Sequence, residues 1–316
     1  MFKRPLLCLV TLVVPVALMF SVATTGLTQT TPPSVVPTRP LPNPLYGLTV
    51  DDISNIADII ASASQLPKMP TIRIYFDVHE SASYYASAVA QLHPHSYIMG
   101  ELLDSSDETS ISTAAFTKRV ASYLSKLGSN VDVWEIGNEV NGNWLGSYST
   151  VSAKLTNAYN AVSAAGGRTA LTLYYNIGCG NGPSELDLIT FTKQHVPASV
   201  RTGLNYILLS YYGTDCRNKR PSVTTWTSYF QQLHALYPNA LLGFSEVGLD
   251  DAATHSTLSQ AASIMNYYYS LPITLPYYIG FYGWWDGAED LVPATQPLFP
   301  IFIRALEAED AVLTQW

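Results

Sequence analysis

The chain has 316 residues, 47% of them hydrophobic and 13% charged, with 24 acidic side chains against 16 basic ones and a formal net charge of −8. A composition this apolar excludes a disordered chain, and the acidic balance disfavours nucleic acid or an anionic membrane surface as partner, because phosphates attract Lys and Arg. It fits a neutral substrate, and 21 Tyr with 6 Trp predict a large domain whose surface also carries aromatics.

The chain opens with a targeting pattern. Lys3 and Arg4 precede an apolar run over residues 6–20, and Ser21-Val22-Ala23 supplies the small residues a signal peptidase accepts. That run contains Pro15 and falls short of the roughly 20 residues a membrane span needs. Residues 1–23 therefore read as a cleaved signal peptide, with an uncleaved anchor as the alternative, and the mature protein as secreted, extracellular or periplasmic. Cys8 lies too early in the run for a lipoprotein. Residues 24–44 are rich in Pro and Thr without apolar periodicity, and read as a disordered linker.

From 45 to 316 short β-branched or aromatic runs alternate with longer amphipathic ones. Strands are predicted at 46–50, 71–77, 96–101, 131–138, 170–176, 206–212, 240–246 and 278–284. Helices are predicted at 52–65, 113–127, 151–165, 226–236, 259–271 and 300–309, among others. Strands alternating with helices imply a parallel sheet with right-handed crossovers. Eight such pairs match an α/β fold of the (β/α)8 TIM-barrel class, which typically takes about 250 residues. The glycines at 178, 180 and 182 are wrongly spaced for a dinucleotide site. No Walker loop, HExxH pair or strand-borne Schiff-base lysine occurs. The six histidines, His79, His93, His95, His195, His234 and His255, share no metal-ligand spacing. Neither a metal nor a cofactor is expected. His93 and His95 precede strand three, on the stability face of such a barrel, whereas His79 follows strand two on the active face and is a candidate substrate contact.

In such barrels side chains converge at the C-terminal strand ends. The predicted fourth and seventh strands both run into a glutamate, Glu139 and Glu246. A pair of carboxyl groups is what glycosidic hydrolysis uses. The segment Trp134-Glu135-Ile136-Gly137-Asn138-Glu139, together with Glu246-Val247-Gly248 on the seventh strand, resembles the motifs of clan A glycoside hydrolases. That resemblance covers the whole barrel in strand order, through short motifs. It implies retaining double displacement, with Glu246 as nucleophile, Glu139 as acid/base, and carboxyl groups roughly 5–5.5 Å apart.

The resemblance also implies substrate-binding roles. Asn138 would bond the sugar 2-hydroxyl. Arg73 shares a strand face with Tyr75 and Asp77 and would pair with Glu135. Whether it steadies the catalytic glutamates or only supports the barrel stays open. Tyr212 matches a tyrosine that bonds the nucleophile, but Ser210 stands where relatives carry histidine. Trp284 or its neighbour Trp285 would form the floor beneath the sugar, and Trp284 is the favoured one. Trp144 would add a second platform, with plain packing as its alternative.

Cys179 and Cys216 follow strands five and six and read as a disulfide, with two separate buried thiols as the alternative. The partner expected is a β-linked oligo- or polysaccharide, cleaved within the chain because the loops are short. No nucleic acid, no stable membrane insertion after signal cleavage, and a monomer are expected. The alternative function is a glycan-binding barrel without turnover.

Overall fold

The computed structural model describes residues 39–175, 177–178, 185–249, 257–281 and 283–313. The expected signal peptide, the linker up to residue 38, and Cys179 and His255 lie outside them. All of the described residues fall in one structural unit, Pro32–Trp316.

Seven strands lie parallel in chain order: β1 (Gly47–Val50), β2 (Thr71–Tyr75), β3 (Tyr97–Glu101), β4 (Val133–Glu135), β5 (Thr169–Tyr174), β6 (Tyr206–Tyr211) and β7 (Leu241–Val247). Between them run α1 (Ile56–Ala63), α2 (Ala82–Leu92), α3 (Thr113–Leu127), α4 (Tyr148–Ala164), α5 (Leu188–His195), α6 (Ala198–Gly203) and α7 (Val223–Leu236). After β7 come α8 (Leu258–Tyr269), the short α9 (Gly287–Asp290) and α10 (Phe299–Leu313). The result is an α/β barrel of the TIM type.

The predicted eighth strand is replaced by isolated bridges. Tyr278 pairs with Leu242, Gly280 with Leu45, and Trp284 with both Leu48 and Val247, so the segment closes the ring between β7 and β1. Regular pairing fails there because Gly280 and Phe281 sit at positive φ, 69° and 56°. Glycine is required at 280, since a Cβ would meet Glu309 Oε1 at 2.1 Å.

Polar caps define where the helices begin. Ser112, Ser147, Ser222 and Thr257 accept from backbone N–H groups in the first turns of α3, α4, α7 and α8, and Thr257 forms a capping box with Gln260. The β5–β6 connection holds two short helices because Pro197 forces Val196 into an extended conformation. Helix α1 starts later than its apolar pattern, after a turn in which Asp52 accepts from the Ser54 amide.

The aromatics are mostly internal, which corrects the expectation of an aromatic surface. Tyr175, Tyr211, Trp226, Phe244 and Tyr268 pack edge to face between barrel and helices. Among the described aromatics, Tyr84 and Trp144 are exposed. A second apolar cluster fills the lower barrel, with Leu45, Met99, Val133, Ala170, Leu208 and Phe281 facing inward.

The end of the segment expected to be a linker is docked on this lower face. Leu41 packs against the inner cluster. Arg39 grips Asp132 through Nε and Nη2 at 2.9 and 2.8 Å, bonds the carbonyls of His93 and Ser96, and stacks on Tyr97. Asp132 is 2% exposed, so loss of its partner strands a buried carboxylate. Arg39→Ala should lower stability by about 2 kcal/mol in urea unfolding. An unchanged midpoint would mean that the segment contributes nothing to the fold.

Candidate active site

The inner face of the upper barrel is polar where the lower face is apolar. On β2 alternation turns Arg73 inward, where it is fully buried. Its Nε donates to Glu135 Oε2 of β4 at 2.6 Å. Its Nη2 lies 3.1 Å from Glu101 Oε1, at the end of β3, and 3.1 Å from Glu246 Oε2 on β7. Thr172 of β5 donates to the other oxygen of Glu135 and lies 2.8 Å from the Ser245 hydroxyl. Arg73 therefore pairs with Glu135 and also lies in ion-pair contact with Glu246.

Glu246 reaches the interior through an irregularity in β7. Leu209 pairs with Phe244, but the next residue, Ser210, pairs with Glu246, leaving Ser245 as an extra residue. Strict alternation would aim Ser245 and Glu246 to opposite faces. The bulge lets both face the barrel interior, a common device beside active sites. Glu246 then accepts from Tyr212 Oη at 2.6 Å and from Asn138 Nδ2 at 3.0 Å.

Glu139 sits just past β4 with φ at 47°, a left-handed conformation that is strained for a non-glycine residue. The break in alternation also aims Asn138 at Glu246. The Glu139 carboxyl accepts from Ser210 Oγ at 2.5 Å and from Ser105 Oγ at 2.8 Å. The amide N–H of Ser105 donates in turn to Asn138 Oδ1 at 3.2 Å, so the loop after β3 ties the two glutamates together. That loop is anchored from behind by a buried ion pair, Lys154 to Glu108 at 3.1 Å.

Both carboxyl groups titrate above the ordinary range, chiefly because burial penalises their charged forms. Glu139 is pushed up to about 8, with the Glu246 charge as the next cause. Glu246 rises less, to about 7, because Arg73 favours its ionised form. Burial thus favours the protonated form of both, and Arg73 offsets it at Glu246.

The aromatic residues depart from expectation. Trp284 is fully buried and donates its indole N–H to Asp290 at 2.9 Å, so it presents no face to a ligand. Its neighbour Trp285 is partly exposed and lies over the Arg73 guanidinium at 5.6 Å, edge-on to Tyr75. Tyr75 donates to Asp107 at 2.9 Å. Trp144 is exposed in the turn after β4, edge-on to Tyr174. His79 is exposed beyond β2, its backbone N–H donating to Asp77. His93 lies at the end of α2 on the lower face, its carbonyl taken by Arg39. Cys216 is buried after β6, while Cys179 lies outside the described residues.

Glu101 and Ser105 of this cluster were not foreseen, and Trp285 was the less favoured of two neighbours. Glu101 could have been found by the strand-end rule that gave Glu139 and Glu246, since it ends β3. Ser105 lies in a loop, where no periodicity applies. Trp285 shares its dipeptide with Trp284, and only the path of the chain separates them.

No known family model matches the sequence, and no curated protein matches it. Solved structures do resemble the fold. A GH10 xylanase from Bispora sp. MEY-1, solved with xylobiose, aligns with a TM-score of 0.56 at 14% identity, covering 84% of this chain and 97% of that one. PbGH5A, a family 5 glycoside hydrolase from Prevotella bryantii B14, aligns at 0.55 with 11% identity, covering 85% and 96%. A GH5-4 broad specificity endoglucanase from an uncultured bacterium gives 0.55 and 11%, covering 85% and 94%. At such identities the likeness concerns the fold, a barrel that glycoside hydrolases share.

A carboxyl group raised in the folded state binds a proton that the unfolded chain has already released. Its stabilising contribution is complete below the ordinary carboxylate range and is lost as pH rises through the raised value. Glu139→Gln removes that loss, and the Ser105 and Ser210 hydroxyls can rotate to suit an amide. The variant should be more stable than the parent by about 1–2 kcal/mol at pH 8, with the gain vanishing near pH 4. Thermal unfolding across that range tests it, and a pH-independent difference would contradict it.

Proposed function

We propose that this protein is a secreted retaining glycoside hydrolase acting within β-linked polysaccharide chains, with Glu246 as nucleophile and Glu139 as acid/base. The observation that carries this reading is the unequal treatment of two neighbouring glutamates. Glu246 receives an amide, a phenol and a guanidinium, donors that favour a carboxylate. Glu139 receives two neutral hydroxyls, and burial together with the Glu246 charge outweighs them and raises its titration to about 8. Divergent protonation of a carboxyl pair is how such sites divide the roles.

In the proposed reaction Glu246 attacks the anomeric carbon while Glu139 protonates the departing oxygen, forming a glycosyl ester. Water, deprotonated by Glu139, then displaces Glu246. Tyr212 and Arg73 hold the nucleophile in place and disperse its charge as the ester breaks. Asn138, already aimed at Glu246, is the group nearest to hand for the adjacent sugar hydroxyl. Trp285 takes over the platform role first given to Trp284. Trp144, exposed in the turn after Glu139, gives a second aromatic surface for sugars of the leaving chain. Two separate aromatic platforms support endo action. The signal peptide and a Cys179–Cys216 disulfide belong to the same reading, since an exported chain meets an oxidising compartment.

Glu246→Ala should lower turnover of an aryl β-glycoside or a dyed β-glucan, xylan or mannan by at least about 10⁴-fold while the protein stays folded. Azide should restore turnover and yield a glycosyl azide of inverted configuration. Binding of the glycan with no turnover by the parent protein would instead favour the noncatalytic glycan-binding barrel.

Activity should be bell-shaped in pH, because Glu246 must be ionised and Glu139 protonated. Glu139→Gln should flatten the alkaline limb for substrates whose leaving group needs no proton. Early digestion of polymer should reduce viscosity and release mixed oligosaccharides, whereas monosaccharide alone would mean exo action. Mass spectrometry of the unreduced protein decides the disulfide, two free thiols being the contrary result.

A further inference from the structure

Three carboxyl groups crowd the Arg73 guanidinium, and hydrogen-bond donors reach only two of them. Glu135 takes Arg73 Nε and the Thr172 hydroxyl. Glu246 takes the Asn138 amide and the Tyr212 hydroxyl. Glu101 takes none. Both of its oxygens are buried without a hydrogen-bond partner among the described residues, and its one polar contact is the shared Arg73 Nη2.

We propose that Glu101 is a positioning residue: it stands as a neutral carboxylic acid beside Arg73, so that the charge on the shared Nη2 serves the nucleophile Glu246. This role rests on the reaction proposed above, although the proton on Glu101 does not.

Charge and hydrogen-bond donors both favour a proton on Glu101. With Glu101 ionised, the buried set of Arg73, Glu101, Glu135 and Glu246 would carry two uncompensated negative charges. A buried carboxylate lacking donors is the member of such a set that takes up a proton first. The charged groups facing Glu101 are Arg73 from β2, Asp104 from the loop after β3, Glu135 from β4 and Glu246 from β7. Three of the four are acidic and oppose its ionisation. Burial acts in the same direction and more strongly, raising its titration well above the ordinary range.

A neutral Glu101 keeps an oxygen in contact with Nη2, 3.1 Å away, and so limits where the guanidinium can sit in the barrel. An ionised Glu101 would draw Nη2 away from Glu246, 3.1 Å from the same nitrogen. The nucleophile would then lose the cation that keeps it ionised. One oxygen therefore sets both the place of Arg73 and the share of its charge that reaches Glu246.

The first test needs no substrate. Infrared spectra at neutral pH are compared for Glu139→Gln and for Glu139→Gln combined with Glu101→Gln, so that the acid/base contributes no band of its own. The expected result is loss of one C=O stretch of a protonated carboxylic acid in the second variant. Loss of carboxylate bands instead would overturn the proposal.

The second test is kinetic. Glu101→Leu, which leaves Nη2 without its oxygen, should lower kcat about 10- to 100-fold with little change in KM, as expected of a displaced catalytic group. Glu101→Gln supplies an uncharged oxygen and should recover kcat to within about threefold, with the acid limb of its pH profile in place. A Gln variant whose acid limb moves down by a unit or more would mean that Arg73 had been shared with a second anion, against the proposal. Equal damage by Gln and Leu would also count against it. A protein that hydrolyses no glycan would remove the proposed reaction, while the infrared result would still decide whether Glu101 holds its proton.

Discussion

A single guanidinium inside the barrel organises the upper half of this protein. Arg73 is fully buried on β2 and reaches carboxyl groups from β3, β4 and β7. Burying such a cation costs several kcal/mol unless partners surround it, and surrounding it with three acids creates the opposite problem. The site distributes hydrogen-bond donors unequally among these acids, and Glu101 receives none among the described residues. An apolar barrel core would pack with less strain. The charged core is better understood as a chemical device that the rest of the fold supports.

Much of the surrounding structure keeps that device in place. Arg119 of α3 donates to the carbonyls of Phe76, Asp77, Val78 and Glu80 beyond β2 and to Leu102 beyond β3. One side chain thereby fixes two adjoining loops at the rim. Lys154 of α4 does the same for the loop that carries Ser105, through the buried carboxylate and the carbonyl of Glu108. Rim loops are the segments that most readily sample other conformations. Charge-assisted bonds from the helices add to the burial of Phe76, Leu102 and Leu103 in holding these two. They fix the Ser105 hydroxyl, which is half of what positions Glu139.

The lower half is built on the opposite principle. Apolar side chains fill the ring, and the Arg39–Asp132 pair and Leu41 seal it from beneath. The division separates an apolar end from a polar end along the barrel axis, as the fold class allows. It also explains where irregular backbone is concentrated. The bulge in β7 and the left-handed Glu139 lie at the polar end, beside the carboxyl pair.

The alternation of strands and helices and the two glutamates at the ends of the fourth and seventh strands were legible in the sequence, because periodicity is a local property of the chain. The same local rule placed Arg73 on an inward face and paired it with Glu135. What the tertiary structure decided depends on contacts between distant segments. Strict alternation would separate Ser245 from Glu246, and the pairing of β7 with β6 is what turns both inward. Trp284 and Trp285 are equivalent as neighbours in sequence. Left-handed backbone at Gly280 and Phe281 breaks the regular eighth strand before them, and the bridges of Trp284 to β1 and β7 bury that ring and leave Trp285 above the guanidinium. Ser105 joins Glu139 across 34 residues of chain, and no periodicity reports a meeting of that kind. The docked end of the Pro-rich segment eluded sequence reading for the same reason: Arg39 is held by groups 30 to 129 residues away. A composition poor in periodic apolar residues carries no trace of such partners.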